Sequence, residues 1–118
     1  MNQQIQNLDV ECALLGEEIA KIDKMTEKII NAALAILETQ GLYAMFLYLK
    51  AREKDVFGKF SKKSMSFLNK VETRSSYSDS DILQRVAQIS NDLDQLLFVR
   101  SLFIQALSYA RYHLKARG

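Results

Sequence analysis

Few side chains in this chain could take part in covalent or acid–base chemistry, and their spacing narrows the field further. There is one histidine, His113, and one cysteine, Cys12; together they fall short of a zinc site, which needs three or four ligands. Helical nucleases that set an Arg a few residues ahead of a His are not matched, since Arg111 stands two residues before His113 and Arg100 thirteen. A general base also needs a partner to orient it. None is identifiable, so His113 reads as a surface or packed residue. No phosphate-binding glycine loop, no Ser-His-Asp arrangement and no carboxylate cluster at metal-ligand spacing is present. Asp79 and Asp81 lie in a serine-rich stretch and read as helix caps rather than ligands. The expectation is a chain without catalysis, metal or cofactor.

What remains is charge. Lys59, Lys62, Lys63, Ser66 and Lys70 fall at i, i+3, i+4, i+7 and i+11, so four lysines form one ladder along a helix. With Lys50, Arg52 and Lys54 just before them, they make residues 50–74 strongly basic, eight cations against Glu53, Asp55 and Glu72. A second basic edge, Arg100, Ser108, Arg111 and Lys115, is spaced 8, 3 and 4 on the last helix. Residues 1–23 set five acids against Lys21, and residues 75–94 are acidic again. The small net charge of +2 thus conceals alternating blocks, a pattern that suits polyanions on one face and a protein partner on another. Solvated helix faces produce it too. Tyr43, Tyr48, Tyr109 and Tyr112 are candidates for stacking on bases, with packing the ordinary alternative.

The elements that must carry these residues are helical. Proline is absent, glycine occurs four times and 48% of residues are apolar, which favours helices over turn-dense β structure. Ile29–Lys50 is apolar on nearly every face on both sides of Gly41 and is expected at the centre, covered by other helices. Gly41 marks a helical hairpin or sharp bend. Ahead of it, Ile5, Leu8, Cys12, Leu15, Ile19 and Ile22 follow a 3-4-3-4-3 spacing, the seam of a helix packed on the core or shared with a second subunit. Gly16 within that seam implies close packing or a slight bend. Asp23 or Thr26 offers a cap for the next helical segment, and the first forty residues read as one bent helix or two. A third helix spans Leu42 to about Glu53, and a fourth begins beyond Gly58, burying Phe57, Phe60, Phe67, Leu68 and Val71. The stretch 72–81 reads as the one long polar loop. A fifth helix carries Ile82, Leu83, Val86 and Ile89, Ser90-Asn91-Asp92 breaks it, and the last runs to about Lys115, burying Leu93, Leu96, Leu97, Phe103, Leu107 and Leu114.

Residues 1–118 form one domain, a compact all-α bundle of about five to six helices. No segment resembles a membrane span or a signal peptide, and with a lone cysteine the natural setting is the cytoplasm.

A family resemblance adds to this reading. Gln40-Gly41-Leu42 inside an apolar hairpin, then Lys50 and a basic helix ending in Phe67-Leu68, resembles the small all-helical subunit of type III-B CRISPR effector complexes, the Cmr complex. The ending is similar too, from Asp92-Leu93-Asp94 through Ala106-Leu107-Ser108-Tyr109-Ala110-Arg111-Tyr112-His113 to Lys115. The related type III-A small subunit ends alike. The likeness covers roughly residues 29–116. It implies a non-catalytic subunit whose copies stack side by side against other subunits and help hold guide and target RNA. On that reading Lys50, Arg52, Lys54, Lys59, Lys62, Lys63, Lys70, Arg100, Arg111 and Lys115 touch phosphates, with no membrane or small-molecule substrate involved. The alternative is a helical protein-binding adaptor or homo-oligomer without nucleic acid, using the N-terminal seam as its interface.

Overall fold

A computed structural model describes residues 7–72 and 81–117. Among them are six α-helices and no strand: α1 (Leu8–Ala20), α2 (Glu27–Gln40), α3 (Leu42–Arg52), α4 (Lys54–Val71), α5 (Ile82–Ile89) and α6 (Leu93–Arg117). The fold is an all-α, single-domain bundle.

The first forty residues hold two helices. Thr26 caps α2 by accepting from the Ile29 amide at 3.2 Å, and Lys24 takes a positive φ of 71° in the connection. Ile22 and Met25 stay buried on either side of it. The seam serves the chain's own core: Cys12, Leu15, Ile19 and Ile22 are buried, whereas Ile5 lies outside the described residues. Its partner is α6, running parallel to α1, with the Cys12 thiol donating to the Leu102 carbonyl at 3.5 Å and Arg117 to the Ala20 carbonyl at 2.7 Å. Gly16 makes this closeness possible. A β-carbon there would stand 2.6 Å from the Ala106 carbonyl oxygen and from Tyr109 Cβ, a distance that side chains do not tolerate.

Gly41 separates α2 from α3 with φ 106° and ψ 179°, a backbone region open almost solely to glycine. Around the turn Leu37, Leu42, Met45, Phe46 and Leu49 are buried. Yet Tyr43 and Leu47 remain exposed, so neighbouring helices cover the hairpin on its inner side and leave its outer side to solvent. Phe46 of α3 packs its ring 5.5 Å from Phe60 of α4 and 5.5 Å from Phe103 of α6, and Phe67 meets Phe103 at 5.5 Å. Tilted and edge-on rings at this separation add specific attraction to their burial.

Three features differ from the sequence expectation. α4 begins at Lys54 and passes through Gly58, whose missing side chain faces open space; the flanking helical periodicity outweighs one glycine's propensity. On α6 the buried stripe is Val99, Leu102, Phe103, Ala106, Leu107 and Ala110. Leu96 and Leu114 are half-buried, while Leu93 and Leu97 are 66% and 50% exposed. Leu97 stands six residues before Phe103, roughly 120° around the helix, which takes it off the buried stripe. Finally, Glu72 is buried against Arg85 rather than solvated in a loop. Arg85, itself buried, donates to Asn69 Oδ1 at 2.9 Å and to the Glu72 carbonyl at 3.0 Å, and its guanidinium lies 3.5 Å from the Glu72 carboxylate. Asp81 caps α5 as expected, accepting from the Gln84 amide at 2.8 Å. Asp79 lies outside the described residues.

Candidate nucleic-acid interface

The α3–α4 elbow gathers the basic residues because α3 ends on Lys50 and Arg52 while α4 starts on Lys54. All three are exposed, as are Lys59, Lys62 and Lys70 farther along α4. The lysines of α4 occupy its outer surface because Val56, Phe60, Phe67 and Leu68 claim the inner one. Among the described residues, no carboxylate within ion-pairing reach engages Lys50, Arg52, Lys54, Lys59 or Lys62.

The other half of the ladder is partnered. α1 runs antiparallel to α4 and sets Glu18 4.0 Å from Lys63 and Glu11 3.7 Å from Lys70. Glu11 and Glu18 are seven residues apart, as are Lys63 and Lys70; two turns of one helix match two turns of the other. The acidic and basic blocks thus meet within the chain.

Two clefts flank this surface. One, of about 480 Å³, has Lys50 and Lys62 at its sides and Phe57, Met65, Ile82 and Leu83 among its lining. The other, of about 440 Å³, lies between α1 and α4, lined by Glu18, Lys21, Ile22, Lys59, Lys62 and Lys63. Lys62 borders both. Lys21 is a member that the linear pattern concealed, because it stands in an otherwise acidic block.

The second basic edge does not join the first. Its cations turn toward α2: Arg100 donates to the Leu37 and Glu38 carbonyls at 3.3 and 3.0 Å, Arg111 to Asn31 Oδ1 at 3.4 Å, and Lys115 pairs with Glu27 at 2.6 Å. Arg100 thereby supplies a donor to the Glu38 carbonyl in the last turn of α2 and a second donor to the Leu37 carbonyl, which also accepts from the Gly41 amide.

No family model, curated protein or solved structure matches this chain. Tyr112 and Tyr43 are 64% and 43% exposed, open to stacking, whereas Tyr48 and Tyr109 are packed against the core. Tyr109 donates its hydroxyl to Asp9 at 2.8 Å, and that hydrogen bond raises its pKa above the ordinary value. Asp9 also accepts from Gln105. His113 is half-buried on α6. Among the described residues, no group of three His, Cys, Asp or Glu side chains is placed to hold a metal ion, and no helix is long and apolar enough to cross a membrane.

Proposed function

We propose that this chain is a non-catalytic small subunit of a type III CRISPR effector complex, of the III-B (Cmr) or related III-A kind, holding guide and target RNA by their backbones. The family comes from the resemblance of residues 29–116, and the observation that supports contact with RNA backbone is the row of exposed cations along α3 and α4, Lys50, Arg52, Lys54, Lys59 and Lys62, without carboxylate partners among the described residues. The four lysines of the row supply charge but lack the planar fork that reads bases, and Arg52 is the single guanidinium among them, so contact is with phosphates and largely blind to sequence. Its partners are other subunits and further copies of itself, in the cytoplasm. One copy binds weakly, and repetition along the assembly supplies affinity.

Replacing Lys59, Lys62 and Lys63 with Ala tests this in the reconstituted complex. Target RNA affinity should drop equally for all sequences, and the log–log salt slope should flatten by roughly 0.7 per lost single-strand phosphate contact. Unchanged affinity and slope in a fully assembled variant would refute the assignment of this ladder. For the adaptor alternative, Cys12, Leu15, Ile19 and Ile22 of the N-terminal seam are buried in this chain's own core. Its interface would draw on exposed apolar residues such as Val10 and Leu14 of α1 or Leu93, Leu97 and Phe98 of α6. A tight, salt-resistant oligomer in sedimentation would favour it.

A further inference from the structure

We propose that the cleft between α1 and α4 is a phosphate-binding subsite in which Lys21 of the α1 end joins Lys59, Lys62 and Lys63, with Glu18 as a built-in competitor for the same cations. The inference rests on the RNA reading for its natural ligand, a phosphodiester strand, but its geometry stands apart from that reading. Four lysines and one glutamate line a space of about 440 Å³ backed by the buried Ile22, within the range of small-ligand clefts, roughly 300–1,000 Å³. The cations line it from two walls, Lys21 from the end of α1 and the other three from α4, so a phosphate group held between them would have lysines on both sides. A ladder on one helix face offers only one.

The charges already present explain why the site holds anions loosely and exchangeably. Lys63 faces Glu18 at 4.0 Å, and Lys21 faces Glu17 at 3.3 Å, both solvent-exposed pairs of a weak kind. Lys59 and Lys62 have no such partner among the described residues. The carboxyl end of α1 would repel an anion, but Arg117 donates to the Ala20 carbonyl at 2.7 Å there and offsets part of that field. A phosphate oxygen accepting charge-assisted hydrogen bonds from several lysines outcompetes one carboxylate. Glu18 therefore sets the threshold: an isolated phosphate gains little, whereas a strand with adjoining phosphates displaces it.

The test is a titration of the full chain, followed by nuclear magnetic resonance, with short oligouridylate and separately with inorganic tripolyphosphate. Shifts should centre on Lys21, Lys59, Lys62 and Lys63. Lys21→Ala should raise the oligouridylate Kd by roughly three- to tenfold and flatten the salt slope by about 0.7. Glu18→Gln should lower Kd by a similar factor. Opposite signs from two exposed neighbours are not the mark of a damaged fold. Shifts confined to Lys50, Arg52 and Lys54 and indifferent to Lys21→Ala would overturn the subsite while leaving the RNA reading in place. A response to tripolyphosphate alone would support the subsite and remove RNA as its ligand. No response of the cleft to either probe would overturn the subsite.

Discussion

Cys12 illustrates how the position of a single residue sets its chemistry. It is fully buried between α1 and α6, and burial, aided by the charges of Asp9 and Glu11, pushes its thiol from 9.0 up to about 11. Between those values the unfolded chain has released the proton that the folded chain keeps. The unfolded state binds fewer protons, so stability falls as pH rises through the window. Denaturant unfolding of the wild type and of Cys12→Ser at about pH 8 and about pH 10.5 should show the wild type losing more stability than the variant; a pH-independent difference between the two would contradict it. That Cys12 belongs to a core seam is legible from its 3-4 spacing. The burial of Arg85 is not. It stands in an amphipathic helix where cations ordinarily face water, and only the approach of Asn69 and Glu72 from the end of α4 makes its burial tolerable, since a buried charge needs a partner.

Two glycines inside helices separate propensity from packing among the elements. Gly58 lies within α4 with open space around it, whereas Gly16 lies within α1 against the α6 backbone. Gly58→Ala should stabilise the protein by roughly 0.5–1 kcal/mol, the ordinary helix-propensity gain. Gly16→Ala gains the same propensity but forces the helices apart, and should destabilise by roughly 1–3 kcal/mol. Chemical denaturation of both variants checks the pair. Equal effects would mean that α1 and α6 do not pack as closely as described. The close approach at Gly16 is one of the two readings its place in the seam allows, because glycine inside a regular apolar stripe has few other reasons to be there. The continuity of α4 through Gly58 runs against the sequence expectation, because a glycine's cost of about 1 kcal/mol is small beside the burial of Val56 and Phe60 on either side of it.

Across the molecule, carboxylates of the first acidic block meet part of the basic block in Glu18–Lys63 and Glu11–Lys70, and Glu27 meets Lys115. Such surface pairs, each with at least one exposed member, contribute about 0–1 kcal/mol apiece. Raising salt from about 50 to about 200 mM should therefore leave the unfolding midpoint almost unmoved while weakening RNA binding steeply. Parallel denaturation and binding series at several salt concentrations would reveal the contrast, and a fold that weakens as steeply as binding would contradict it. Local periodicity and backbone preference suffice for the all-helical class, the cap at Asp81, the break at Gly41 and the outward-facing lysines, but leave open Asp23 or Thr26 as the cap of α2 and misplace the start of α4. Tertiary packing alone settles which lysines stay free, that Arg100, Arg111 and Lys115 engage α2, and that Lys21, from an acidic block, lines a cleft with the lysines of α4. Those outcomes depend on the relative register of helices far apart in the chain, and register is set by how the buried faces interlock rather than by any spacing along one of them.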